Sequence, residues 1–358
     1  MTHPVLFIPG PVEVDPELRE IMAMPALGHR SQTTKDCITR MLPMLRAFFC
    51  TTQHAFFENV PATALMEATI RNLVHERVLH LACGAFGERW AKISEQCGRR
   101  PDCVTLPWGS AVTADVARDA LRRADRPYEA VCITHCETST GVLSPLGEIA
   151  AAVREVAPNT LILADVVTSV GGAEMRFDDW GLDAAFAGTQ KCLALPPGLT
   201  VFALSERAIR KSAEVAGRGF LLDFADTPAR FAKAEPPATP CVPLVFALAR
   251  QLERIAAETL AVRHARHLAL RDRTLAWAQA EGYAPFVADA RHRSPTVSTL
   301  RADAARTNAL VAAGKKGGFT LGKGYGKIAG ETFRVGHMGD HTLQRLDALL
   351  AALRGVKS

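Results

Sequence analysis

The sequence lacks any apolar run of ~18 residues or more, so it offers no candidate for a helix spanning a bilayer. Its opening, MTHPVLFIPGP, has no charged leader and meets proline and glycine before an apolar signal core can form. The expectation is therefore a cytoplasmic protein without membrane attachment. Charge of one sign is not gathered anywhere. The 42 Lys and Arg stand against 37 Asp and Glu, and the excess of +5 is scattered, which argues against nucleic acid as a partner and favours small anions only weakly. Cysteine pairs are missing too. Nine cysteines, an odd number spread singly along the chain, fit reduced thiols rather than a disulfide framework. No internal repeat or low-complexity tract is present, and this excludes a repeat array.

What is present is a long alternation. With 358 residues and 48% hydrophobic content the chain can bury one large core and a smaller one. The short apolar runs RVLHLACG, DCVTLPW, EAVCITHC, TLILADVV, DAAFAG and LTVFALS read as strands. Most are separated by helical patterns such as GERWAKISEQCG and PLGEIAAAVREVA, which predicts an α/β fold with a largely parallel sheet flanked by helices. GRGFLLDFADTPARFAKAEPPATPCVP breaks the rhythm and reads as a long functional loop. A helical stretch from Leu244 to about Ala280 follows, kinked or handing over to a second domain, and the C-terminal part reads as a smaller α+β domain. The expected division is an N-terminal arm over residues 1–13, a large α/β domain over 14–260 and a small domain over 261–358.

In open α/β sheets ligands sit beyond the carboxyl ends of the strands, so the residues there are read together. TLILAD ends at Asp165, the strand before ETSTG leads into Thr138, Ser139 and Thr140, and AAFAG leads into Thr189, Gln190 and Lys191. Upstream, Pro61, Ala62 and Thr63 open an amphipathic helix whose first amides and dipole favour an anion. An amine, a carboxylate, hydroxyls and an anion seat together suit pyridoxal phosphate. That cofactor needs a lysine for its imine, an acid on its ring nitrogen and an anchor for its phosphate. Each residue alone has a plainer explanation: Asp165 and Thr63 as helix caps, Lys191 as a solvated turn lysine. The conjunction carries the reading.

The stretches PGPVEVDPELREIM…GHRS, GAFGERW, HCETSTGV, ADVVTSVGG, GTQKCLALPPG and FRVGHMG, in this order, resemble the class V, fold-type I aminotransferases of the alanine/serine–glyoxylate kind over nearly the whole chain. The resemblance implies a mostly parallel seven-stranded sheet with a smaller α+β domain, pyridoxal 5'-phosphate as cofactor, and a homodimer with active sites at the subunit interface. It implies Lys191 as the residue carrying the cofactor, Asp165 against the pyridine nitrogen, Val167 and Phe86 packing on the ring, and Thr138 near the ring hydroxyl. Gln190 would lie near the phosphate, with Ala62, Thr63 and Ala64 at the phosphate turn, and Thr239 would reach the partner's phosphate site. Arg334 resembles the arginine that holds the substrate α-carboxylate bidentately. The phosphate turn departs from the family, where glycine and serine are commoner than Pro61, Ala62 and Ala64.

The reaction so implied is ping-pong transamination between a small amino acid of the alanine or serine type and a 2-oxo acid of the glyoxylate or pyruvate type. One alternative on the same scaffold is phosphoserine transamination, with His29, Arg30 or Lys323 taking the extra phosphate. Others are a lyase or desulfurase, against which Gln190 and Phe86 speak, and a non-enzymatic interaction module. GGFTLGKG falls short of a P-loop because Gly324 replaces Ser/Thr, and it reads as a mobile loop. Cys132, His135, Cys136 and Glu137 match a metal site only in composition, so no metal is expected. His264 and His267, three apart on a helix, read as an exposed face.

Overall fold

Six of the apolar runs form strands of one sheet in the structure, a computed structural model that describes residues 3–356. Across the sheet the order is His54–Glu58, Thr200–Leu204, Ala184–Gly188, Leu161–Asp165, Ala130–Thr134, Arg77–Ala82 and Arg100–Thr105. Only Thr200–Leu204 runs against the rest. Helices cover both faces of the central strands, so Ala130–Thr134, Leu161–Asp165 and Ala184–Gly188 are buried at every residue. Such strands read as continuous apolar runs and not as alternating ones. The edge strand Arg100–Thr105 is mostly exposed and carries Arg100 and Asp102, charges that discourage pairing with another chain.

Connectivity decides where the crevice lies. From Arg77–Ala82 the chain crosses outward to the edge strand and then returns to the other side at Ala130–Thr134. The order reverses between these two neighbours, and their carboxyl ends lead into Gly84–Phe86 and Glu137–Thr138. That is where an open parallel sheet leaves room for a ligand.

A second, four-stranded sheet has the order Val5–Phe7, Phe319–Lys323, Thr332–Gly336, Val297–Arg301. The residues read as an N-terminal arm thus supply an edge strand, parallel to Phe319–Lys323, and Phe7 is fully buried in the small core with Trp277, Leu310, Phe333 and Leu346. GGFTLGKG, expected as a mobile loop, is corrected: its Phe319–Lys323 part is a strand, because Leu321 points into that core while Gly322 lets Pro9 and the Arg334 backbone approach closely. The helical stretch from Leu244 divides into Val242–Glu258 and Leu260–Ala280 at Thr259, whose φ of 68° ends one helix while its hydroxyl caps the next. The long loop before it holds a short helix, Thr227–Ala232, pinned by buried Phe224 and Phe231.

His267 is not on an exposed face. It is fully buried, with Nδ1 donating to the Arg263 carbonyl and Nε2 accepting the Gly339 amide, so the ring is neutral and burial holds its pKa well below the usual histidine range. The 3.6-residue period was too short a sample to tell which side of Leu260–Ala280 faces inward. All nine cysteines are free, and no helix among the described residues is long and apolar enough to cross a membrane.

Candidate active site

Lys191 lies in the turn after Ala184–Gly188, and its Nζ donates to the Pro9 carbonyl of the N-terminal segment. Gly10, at a φ of 106° that strains any residue with a side chain, approaches it so closely that a Cβ there would stand 2.6 Å from Nζ and push the amine aside. Burial, helped by the Arg334 guanidinium, pulls the Lys191 ammonium down to about 8. A neutral amine is thereby within reach of ordinary pH.

Asp165 ends the neighbouring strand Leu161–Asp165 and is buried. Its side chain accepts one hydrogen bond among the described residues, from the Val167 amide at 2.9 Å. Burial pushes its carboxyl up to about 7, against the pull of that amide. A buried carboxylate with so few donors is short of a cationic N–H partner. Val167 stays half-buried beside it.

Thr138 is buried, with its hydroxyl against that of Thr168, and its carbonyl accepts Arg334 Nη1 at 3.0 Å. Arg334 sits on Thr332–Gly336 of the small sheet, and its Nε donates to the Lys323 carbonyl at 2.9 Å. Burial lowers its pKa to about 10, still charged at neutral pH. Two of its nitrogens are anchored and the rest of the fork is open to a ligand. Lys191, Asp165, Thr138 and Arg334 are therefore brought together from four separate strands or strand-end turns.

Phe86 opens the helix Ala85–Gln96 and is half-buried. Its ring lies 5.8 Å from that of Tyr325 at an interplanar angle of 15°, and the Arg89 guanidinium stands 4.8 Å over it. Arg89 also donates to the Tyr325 hydroxyl at 2.9 Å, while Arg334 approaches the other ring at 5.5 Å. Tyr325 and Arg89 escape the sequence reading. A tyrosine between two glycines in GKGYGK signals a turn and says nothing of what its ring meets.

The helix Ala62–Leu73 starts at Pro61 with no side-chain cap, whereas Gln32–Phe48, Glu206–Glu214 and Ala304–Lys316 start on Ser31, Ser205 and Asp303. Thr63 and Ala64 face partly outward there. The Ala64 amide donates to the Pro61 carbonyl at 2.8 Å, while the amides of Ala62 and Thr63, with the dipole behind them, suit a phosphate. The Gln190 side chain folds back over Gly188, where a Cβ would overlap its amide. Thr239 is exposed and makes no hydrogen bond among the described residues, although its loop is tied near the turn by the Cys241 amide on Asn59 Oδ1 at 3.3 Å.

Two residues named for the phosphoserine alternative have other surroundings in the single chain. Lys323 Nζ is held by Asn308 at 2.8 Å, and Arg30 lines a surface hollow with Arg230 and Lys233.

Known proteins are similar to this chain over most of its length. The family description "Aminotransferase class-V" matches residues 80–313. The L-aspartate–glyoxylate aminotransferase of Paracoccus denitrificans is 32% identical over 344 residues, spanning 94% of this chain and 87% of its own. The serine–glyoxylate aminotransferase of Methylorubrum extorquens is 29% identical over 367 residues, 98% of this chain and 90% of its own. Among solved structures, the alanine–glyoxylate aminotransferase of Nostoc sp. superposes with a TM-score of 0.92 at 29% identity, covering 99% and 96% of the two chains. With a seven-stranded sheet, a lysine turn and a family match over most of its length, the chain belongs to the class V aminotransferases, pyridoxal-phosphate-dependent transaminases of fold type I.

Proposed function

We propose that the chain moves an amino group from a small amino acid, of the alanine or serine type, to glyoxylate or pyruvate. The observation that carries this reading is the placement of the half-buried Arg334 fork within the same crevice as the Lys191 amine and the Asp165 carboxylate. Every amino acid and every 2-oxo acid presents an α-carboxylate to such a fork. Glyoxylate is the shared word in the names of the relatives from Paracoccus, Methylorubrum and Nostoc.

The residues fit pyridoxal phosphate. Lys191 would hold its aldehyde carbon, Asp165 its ring nitrogen, Thr138 its hydroxyl, Phe86 and Val167 its two faces. Its phosphate would rest on the amides of Ala62 and Thr63, in the turn with Ala64, with Gln190 beside it and the partner's Thr239 across the interface. The bound cofactor supplies an electron sink for the pair left when Cα loses its proton. Lys191 would carry that proton as base and acid, and a pKa near 8 brings both forms of its amine within reach of ordinary pH. Asp165 keeps a positive charge next to itself, and Arg334 orients Cα–H toward Lys191 by fixing the carboxylate. Phe86 and Tyr325 shield the site from water.

We further propose a homodimer; what supports it is the exposure of the large apolar side chains Met24, Leu27, Phe220 and Leu221, together with that of Thr239, in the single chain. We also place the protein in the cytoplasm, in keeping with its dispersed free thiols. Phosphoserine is the second reading, and the engagement of Lys323 by Asn308 weighs against it. Assay of alanine, serine, aspartate and phosphoserine against glyoxylate, pyruvate, 2-oxoglutarate and phosphohydroxypyruvate tests the assignment. Highest kcat/KM for a small donor with glyoxylate supports it, and preference for the phosphorylated pair overturns it.

A further inference from the structure

Glu137 is a fully buried carboxylate to which no role has been given so far. It leaves the two-residue strand Cys136–Glu137 and turns under the start of the helix Ala85–Gln96. One oxygen, Oε2, accepts the amides of Phe86 at 3.0 Å and Gly87 at 3.2 Å. The other, Oε1, accepts the Ser139 amide at 3.1 Å and the Ser139 hydroxyl at 2.6 Å. Ser139 Oγ in turn accepts the Ala85 amide at 3.1 Å. The helix starts at Gly84 with no cap of its own, and a Cβ on Gly84 would overlap Glu137 Cγ. A residue more than fifty positions away thus does the work that Ser31 or Ser205 does locally for other helices.

Four donors converge on the carboxyl. Three are amide N–H groups, which only donate, and the fourth is the Ser139 hydroxyl, which gives its proton to Oε1 while its oxygen accepts the Ala85 amide. Burial raises the pKa of Glu137, and the hydrogen bonds from Ser139, Gly87 and Phe86 oppose that rise. These donors, at the positive end of the helix Ala85–Gln96, are the surroundings that stabilise a buried carboxylate.

We propose that Glu137 is a positioning residue for the cofactor ring: it locks the backbone beneath Phe86 to the turn that carries Thr138, so that the stacking face and the hydroxyl contact are held at one fixed spacing. This rests on the roles proposed for Phe86 and Thr138 above. Without that lock the two arms are joined by the ladder of Arg77–Ala82 and Ala130–Thr134, which ends below them at Leu81 and Ile133, and by the Ala85–Ser139 bond. A ring gripped by both would then lose its single orientation. Glu137 acts through these neighbours, and, secondary to burial, its charge also bears on Asp165 and Arg334, raising the pKa of each.

The test uses the full-length protein and pyridoxal phosphate itself. In Glu137→Gln the side-chain NH2 must face either the Phe86 and Gly87 amides or the Ser139 donors, leaving at least one amide without an acceptor. Ser139→Ala keeps the carboxylate and removes one strap, so it reports on the same lock with less risk to folding. Three quantities are read for each variant: the cofactor Kd by titration, the visible circular dichroism of the bound cofactor per mole bound, and the urea midpoint of the cofactor-free protein. We expect the Kd to rise roughly 10- to 100-fold in Glu137→Gln, as for loss of hydrogen bonds to a charged group, and less in Ser139→Ala, with the visible dichroism weakened in both. A fall in urea midpoint with unchanged Kd and dichroism in both variants makes the cluster merely structural and overturns the proposal. If the wild-type protein itself fails to bind pyridoxal phosphate at Lys191, the proposed site assignments fail first, an outcome told apart by reductive trapping of the wild type.

Discussion

The two walls of the crevice hold their groups in different ways. On the large-sheet side Asp165, Thr138 and Glu137 are buried side chains fixed by backbone amides and hydroxyls at strand ends. On the small-sheet side Arg334, Tyr325 and Lys323 are long or half-exposed, and they meet one another through carbonyls and ring faces. Short buried groups give a fixed electrostatic field, which is what a reaction common to every substrate needs. Long side chains on the facing wall offer contacts that can be varied without disturbing that field. The difference assigns chemistry to one wall and recognition to the other, and mutation can break or sharpen that division.

The largest effect is expected at Lys191. Lys191→Ala should lower turnover by ~10⁴-fold or more, since it removes both the covalent anchor and the proton carrier. Borohydride reduction followed by peptide mapping should place the cofactor on Lys191 in the wild type, and a label elsewhere would move the chemistry off this wall. Asp165→Asn comes next. It should reduce turnover about 10²–10⁴-fold with the fold intact, measured as single-turnover rates.

Asp165→Asn also has a stability signature of opposite sign. The folded carboxyl has its pKa raised from 3.8 to about 7, so between these values the native state holds more protons than the unfolded one, and stability falls as pH rises through this window. Cofactor-free Asp165→Asn should therefore be more stable than wild type at pH 8, by up to a few kcal/mol, and should lose that advantage at pH 4. Thermal melts at the two pH values check it, and an equal difference at both would remove Asp165's ionisation as the cause.

A smaller and more uniform effect is expected on the facing wall. Arg334→Lys keeps the charge and loses the fork, so KM should rise for every donor and acceptor together, by about 1.5–3 kcal/mol. A rise for one substrate alone would make Arg334 a side-chain selector and blur the division. The smallest change should come from Tyr325→Phe. It removes the hydroxyl that Arg89 holds at 2.9 Å and should shift kcat/KM by about 0.5–1.5 kcal/mol, unevenly across donors, with the cofactor Kd unchanged.

How much of this was legible follows from the same contrast. Strand ends on the large sheet announce themselves, because an apolar run that stops at Asp165 or passes into Thr-Gln-Lys marks a polar tip on a buried element. The strand His54–Glu58 went unread, since HAFFE lies between a helix and a proline turn with nothing local to show that it pairs with Thr200–Leu204. Local sequence shows Glu137 only as part of a metal-like composition, because its partners Phe86 and Gly87 lie about fifty residues earlier. His267 was placed on the wrong side of its helix for want of the same long-range information.

By itself the sequence determined the alternation of elements, the lysine turn, the acid at the end of the preceding strand and the family they signify. These are properties of local pattern: apolar period, turn chemistry and residue order. Tertiary structure alone decided that the N-terminal segment becomes a strand of the small sheet and lays Pro9 and Gly10 on Lys191. It alone decided that Glu137 caps a distant helix and that Arg89 and Arg334 flank Tyr325. Each of these joins residues far apart in the chain, and burial there removes water, so the partners that satisfy a buried amine, anion or amide are chosen by the packing of whole elements and not by any neighbour in sequence.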